Sequence, residues 1–378
     1  MLGPTSVLLW ALAATPASTA PTAPLLEPVA ALADRPGALA AIGSRLFVAL
    51  HPLGNPAVKL LEVRNGRLEP YPSGVVSRDF GAITALASDG EGGLWILDAG
   101  DGQKRPEVLA WNTVVERRLG LYRLSATALR PNSYLAALAV DPGRGLLYVA
   151  DRSKADWVGD SHPAILVHSL RTGFTRRVLE DHPALEPDTV PVVIGRRALA
   201  HHNVDGTLEK VRLGVNQLGL DASGTWLYLG GLNCAAVWRV RTADLVDLSL
   251  PPAELATRVE AFAERPAGNA LLVEPGGRVV VTEVEQRALA FATPGGTVRW
   301  LTDPRLNWPD ALAFAEGWLY VGVNQLHLHP ALNRGTEESR GPYPIYRVDL
   351  PPSPLPRPAA RATTDAGVET DGGTRADR

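Results

Sequence analysis

The chain reads as a succession of short apolar stretches alternating with period two, each broken by a turn rich in Gly and Asp. The recurring unit is an alternating stretch, a Gly-containing turn, and a second apolar stretch usually centred on an aromatic residue. In the first half, residues 39–43 lead to 45–49, 85–90 to 94–98, and 138–141 to 146–151. In the second half, 218–221 lead to 226–230, 271–274 to 278–283, and 312–314 to 318–322. Period-two alternation puts successive side chains on opposite faces of an extended chain, so these stretches predict strands and not helices. Most of the six hairpins are followed by a third apolar strand, as at 164–168, 236–240, 288–291 and 345–348, and often by a fourth, more polar one. Four strands per unit, recurring every roughly 40–50 residues, predict an all-β, single-domain, six-bladed β-propeller over residues 21–350.

The spacing breaks once. Between Tyr148 and Tyr228 the gap exceeds one unit, and 179–213 is polar and contains His and Pro. The expectation is an insertion there, over a channel mouth or between blades; the alternative is a degenerate extra blade. Residues 25–32 are expected to add a strand to the last blade, closing the ring and removing exposed strand edges.

Composition adds bounds. The apolar share is 46% and the formal net charge −3, so the chain is globular and lacks the basic surplus of a nucleic-acid binder. Arginine far outnumbers the four lysines (Lys59, Lys104, Lys154, Lys210), as in a GC-rich bacterial genome. The single cysteine, Cys234, excludes an intramolecular disulfide and is expected as a small core residue. The apolar run at 7–14 is too short to span a bilayer and is followed by Ala17, Ser18, Thr19 and Ala20. It predicts a signal peptide over 1–20 and hence a secreted, periplasmic or cell-envelope protein with no transmembrane segment. Residues 351–378 lack apolar periodicity and predict a disordered tail.

No Gly-x-Ser-x-Gly elbow, His-Glu-x-x-His pair, phosphate loop or dinucleotide fingerprint is present. What remains is positional. In a propeller the innermost strands line a central channel, and the residues just before them take equivalent places. Those places hold Asn216, Asn269 and Asp310, while the second strands end on Asp98, Asp151, Glu283 and Asn324. Oxygen ligands converging from several blades suit a hard cation such as Ca²⁺, with Asn216, Asn269 and Asp310 as its candidate ligands. The competing reading is that Asp and Asn at strand ends cap turns through their own backbone. Trp95, Tyr148, Tyr228 and Tyr320 share one repeat position and are expected to pack between blades. Trp308 is the better candidate for stacking on a ligand. His327 and His329 share a face if extended, and His327 is a candidate ligand contact; His201 and His202 point oppositely and are expected in a solvated loop.

Several fragments carry a family resemblance. The run Leu306-Asn307-Trp308-Pro309-Asp310-Ala311-Leu312, followed by Leu319-Tyr320-Val321 and Asn324-Gln325-Leu326, resembles the closing signature of the yellow/major royal jelly protein family. Gly92-Gly93-Leu94-Trp95-Ile96-Leu97-Asp98-Ala99-Gly100 is similar to that family's "LWVLDTG" strand. Leu147-Tyr148-Val149-Ala150-Asp151 and Gly224-Thr225-Trp226-Leu227-Tyr228-Leu229 match in order, so the resemblance spans most of 36–350. It implies a ligand funnel in which Asp310 and Asn324 make polar contacts, a small aromatic or amine-bearing ligand, no required cofactor, and, if the protein is catalytic, proton transfer as in dopachrome tautomerisation. A more distant similarity, to gluconolactonase-type propellers with their Asn/Asp/Glu ligand sets, implies a metal-dependent lactone or ester hydrolase. A third possibility is a non-catalytic platform for a cell-envelope partner.

Overall fold

A computed structural model describes residues 24–64, 66–154, 161–203 and 205–351. The expected signal peptide, and the expected tail beyond residue 351, lie outside the described residues. Six four-stranded antiparallel sheets follow one another around a central channel. Blade 1 is Pro36–Ile42, Arg45–Leu50, Leu60–Arg64 and Arg67–Pro70; blade 2 is Ile83–Ser88, Gly93–Asp98, Glu107–Asn112 and Arg117–Arg123. Blade 3 is Leu135–Asp141, Leu146–Asp151, Ala164–Ser169 and Thr175–Val178; blade 4 is Val215–Leu220, Trp226–Gly231, Ala236–Arg241 and Glu260–Glu264. Blade 5 is Leu271–Val273, Val279–Glu283, Ala288–Thr293 and Gly296–Thr302. Blade 6 takes Pro309–Ala315, Trp318–Val323 and Tyr343–Asp349 from the end of the chain and its outer strand, Glu27–Leu32, from the beginning. That outer strand pairs antiparallel with Tyr343–Asp349, from Glu27 opposite Arg347 to Leu32 opposite Tyr343, and so closes the ring.

The second strand of each blade is apolar on both faces because both faces are covered. Gly93–Asp98, for instance, is buried at every position. Six apolar clusters each join one blade to the next, and Phe47, Trp95, Tyr148, Tyr228, Val280 and Tyr320 take equivalent places in them. Packing between blades therefore accounts for the repeated aromatic. Each such side chain withdrawn from water stabilises the ring by roughly 1.5–3 kcal/mol.

Two short hairpins follow blade 3, Val193–Ile194 with Arg197–Ala198 and Ala200–His202 with Leu208–Lys210. They pack over one end of the channel. A seventh cluster, of Val192, Leu199, Val211, Leu232, Val284, Trp308, Leu326 and Leu332, joins this segment to the blades and to the loop after Trp318–Val323. A parallel bridge from Ala200 to Asn333 ties the two coverings together.

Candidate functional site

Five blades share one irregularity. The first strand slips register against the second by one residue, at Gly37, Thr84, Ala136, Asn216 and Asp310. A bulge of this kind re-aims the extra side chain, and here it is aimed into the channel. In blade 5 the corresponding residue is Asn269, just before Leu271–Val273. All six line one cavity of about 270 Å³ under the cap, with His51, Tyr134, Arg152, Trp308, Pro52 and several Leu side chains completing its wall. Gly37 is required at its place: a Cβ there would lie 2.9 Å from the His51 Cα.

The polar side of the cavity is a hydrogen-bonded relay. Arg265 Nη1 donates to Gln217 Oε1 at 3.0 Å, and Gln217 Nε2 donates to Asn216 Oδ1 at 3.1 Å. Asn216 Nδ2 donates to Asn269 Oδ1 at 2.9 Å, and Asn269 Nδ2 donates to Asp310 Oδ1. A guanidinium has only donors and a carboxylate only acceptors, so the two ends fix the orientation of every amide between them. Asp310 also accepts from Trp308 Nε1 at 2.9 Å and from Asn324 Nδ2 at 2.7 Å. Burial pushes its carboxyl up to about 6, against the lowering effect of Asn269, Trp308 and Asn324. Burial likewise lowers Arg265, to about 10. Trp308 reaches Asp310 from a left-handed backbone, φ 68°, which costs a bulky residue roughly 1–3 kcal/mol and aligns the indole N–H with the carboxylate.

The structure therefore brings Asn216, Asn269, Trp308 and Asp310 to one cavity, with Asn324 directly behind Asp310. Asn324 also donates to Pro36 O at 2.9 Å, linking blades 6 and 1. His327 stands on the far side of Trp308, its ring stacked on the indole at 5.6 Å, and burial pushes it down to about 4. It is a wall for Trp308; the ring does not line the cavity.

Asp98, Asp151 and Glu283 do not line the cavity either. Asp98 accepts from the N–H groups of Gly81, Ala82 and Gly100, each at 3.0 Å, and pairs with Lys104. Asp151 accepts from Tyr134 N and Ser153 N, each at 3.0 Å, and pairs with Arg177 at 2.7 Å. Glu283 pairs with Arg299 at 2.5 Å. Their oxygens face backbone N–H groups and basic side chains because the residue ending the second strand turns back to its own blade; in blades 2 and 3 it pins the loop ahead of the bulge. Cys234 is buried, as expected of a core thiol.

Sequence reasoning missed Thr84, His51, Tyr134 and Arg152. Thr84 was signalled by its place just ahead of the alternating stretch at 85–90; the other three come from connecting loops.

The donors do not fit a divalent cation as they lie. The Asn216 and Asn269 oxygens already accept from their neighbours, and each amide nitrogen points on toward Asp310. Presenting both oxygens to an ion would reverse the relay and leave donors facing donors. Among the described residues no group of three or more His, Cys, Asp and Glu is placed to hold a metal. The expectation of Ca²⁺ on Asn216, Asn269 and Asp310 thus finds the right residue types together, with the two amide oxygens engaged by neighbouring amides.

No family model matches the chain, and no curated protein matches it in sequence. Solved structures do. A gluconolactonase from Xanthomonas campestris matches with a TM-score of 0.55 and 12% identity, over 87% of this chain and 90% of that one. A calcium-binding protein, regucalcin, from Agrobacterium tumefaciens matches with a TM-score of 0.51 and 13% identity, over 87% and 94%. A luciferin-regenerating enzyme matches with a TM-score of 0.53 and 10% identity, over 86% and 95%. The likeness is one of fold. It shows a six-bladed propeller fold.

Proposed function

We propose that this propeller binds a small carbonyl compound, a lactone or an ester, in the capped cavity and hydrolyses it, with Asp310 as the general base. The observation that carries the reading is Asp310 itself: a buried carboxylate, held by three N–H donors, at the edge of a cavity of small-molecule size. A base held in one orientation and shielded from bulk water is suited to proton transfer. Asp310 takes a proton from water as the water oxygen bonds to the carbonyl carbon. The ring or ester C–O bond then breaks, and the proton passes from Asp310 to the departing alkoxide, giving a hydroxy acid or an acid and an alcohol. Neighbours of gluconolactonase type support the reaction class.

The aromatic amine implied by the yellow-type resemblance has less support. One face of Trp308 is covered by His327, and Arg152 in the same cavity opposes a cation. Export to the envelope remains part of the proposal, checked by fractionating cells that express the full chain. The test of function is a panel of γ- and δ-lactones and simple esters, followed by acid release. Wild type is expected to turn over at least one, and Asp310→Asn, confirmed folded by circular dichroism, to lose roughly 10²–10⁴-fold in rate. Wild-type inactivity across the panel, or an Asp310→Asn variant as fast as wild type, overturns it.

A further inference from the structure

We propose that His51 and Thr84 form a pair of hydrogen-bond donors that hold the ligand's carbonyl oxygen, in the sector of the cavity next to Asp310. The relay occupies one half of the channel wall, where Asn216, Asn269 and Asp310 bond to one another. The other half carries Gly37, Thr84 and Ala136, and of these only Thr84 has a side chain able to hydrogen-bond. Thr84 Oγ1 is buried with no hydrogen-bond partner among the described residues. A buried hydroxyl left without a partner is destabilising, so an acceptor brought in on a ligand is favoured there.

His51 supplies the second donor. Its backbone N–H donates to Arg35 O at 2.7 Å, and its Cα packs so close to Gly37 that no Cβ would fit between them. Its Nδ1 accepts the Leu53 N–H at 3.2 Å. A neutral imidazole with Nδ1 as acceptor carries its proton on Nε2. Burial pushes this ring down to about 3, so the neutral form prevails near pH 7. Nε2 makes no hydrogen bond to another described residue, and the side chain lines the cavity. Blades 6, 1 and 2 are consecutive around the ring, so Asp310, His51 and Thr84 border one sector, with Gly37 in its middle leaving room for a compact ligand. At about 270 Å³ the cavity is smaller than the usual about 300–1,000 Å³ of sites for larger ligands, which favours a monocyclic lactone. As water adds to the carbonyl carbon, negative charge gathers on the carbonyl oxygen, and two fixed donors there stabilise it more than they stabilise the substrate. That the bound carbonyl reacts rests on the hydrolase reading; that His51 and Thr84 bind it does not.

The experiment is calorimetric titration of the full chain with 2-pyrrolidinone, a lactam that carries the carbonyl and resists hydrolysis, and separately with tetrahydrofuran, a ring of the same size without it. The lactam is expected to bind at least about tenfold more tightly, as two net hydrogen bonds allow. Thr84→Val, and His51→Asn, which keeps the acceptor for Leu53 N–H and is too short to replace Nε2, should each lose about 3–10-fold of that affinity. Thr84→Ser should retain most of it. In lactone hydrolysis the same two variants should lower kcat by about 10²–10³-fold, far more than they weaken lactam binding. If His51→Asn does not fold, Thr84→Val and Thr84→Ser carry the test. Equal binding of the two probes, no binding of either, or variants that bind the lactam like wild type would each overturn the assignment. Lactam binding that depends on Thr84 and His51, in a protein hydrolysing no lactone, leaves the donor pair standing and removes the hydrolase reading. Lactone hydrolysis with kcat unchanged in Thr84→Val and His51→Asn does the reverse.

Discussion

His51 offers a sharp test of how closed the cavity is. It follows the second strand of blade 1 and lines the cavity, and its Nδ1 accepts the Leu53 N–H at 3.2 Å at the head of a short turn. Burial, reinforced by the charges of His329, Arg35 and Arg152, pushes it down to about 3. In the unfolded chain it returns to the ordinary value near 6.5. The folded state therefore binds the proton less well, and the stability His51 contributes is present above pH 6.5 and lost as pH falls toward 3. Integrating between pH 7.5 and pH 5, about 1.5 of the 3.5 pK units are traversed, or about 2 kcal/mol at about 1.4 kcal/mol per unit. His51→Asn isolates this effect, because Asn preserves the capping acceptor and does not titrate. The assay is urea unfolding followed by tryptophan fluorescence, for both proteins at both pH values. The difference in stability, wild type minus variant, is expected to fall by about 2 kcal/mol from pH 7.5 to pH 5. A difference that stays constant, or that grows, would show that the imidazole is solvated and the cavity open.

Asp310 titrates with the opposite sign. Its folded value is raised to about 6, so the stability it contributes is present at low pH and lost as pH rises through 6. With chelator present, wild type should gain about 2 kcal/mol relative to Asp310→Asn between pH 7 and pH 4.5, and a flat difference would contradict its burial. Leu32, on the closing strand and 1% exposed, packs between blades 6 and 1. Leu32→Ala should cost about 2–5 kcal/mol in urea unfolding, and a cost below about 1 kcal/mol would mean that the ring is not sealed there. Burial pushes the Cys234 thiol up to about 11, so a disulfide reagent at pH 8 should react only as fast as the protein unfolds, and rapid labelling of the native protein would contradict its placement.

The blades were legible because each second strand is sandwiched and must be apolar on both faces, which leaves a repeated run such as Leu94-Trp95-Ile96-Leu97 in the sequence. The closing strand at Glu27–Leu32 was legible because a propeller otherwise leaves an edge. Asn216, Asn269 and Asp310 stood out as polar residues just before an alternating stretch, the place from which they reach the channel. Gly37 and Ala136 hold the same place with nothing polar to mark them. Arg152, His51 and Tyr134 lie in connections whose course no periodicity specifies. Asp98, Asp151 and Glu283 drew attention for a sound reason, since each ends a second strand. Whether such a side chain faces the channel or turns back to bond its own blade depends on a χ angle, which residue type and position do not determine. The same is true of the metal question: the residue types for a hard cation were readable, while the direction of the amide relay became visible only with Arg265 and Gln217 in place.

In the proposed hydrolysis the capped cavity works through Asp310 and its relay with no divalent cation. The measurement that tests it most directly is the rate of lactone hydrolysis by wild type, first stripped with chelator and then supplied with calcium. Full activity is expected in chelator, with no gain on adding calcium. Activity that vanishes in chelator and returns with calcium would show that the relay reverses around an ion, and would contradict it.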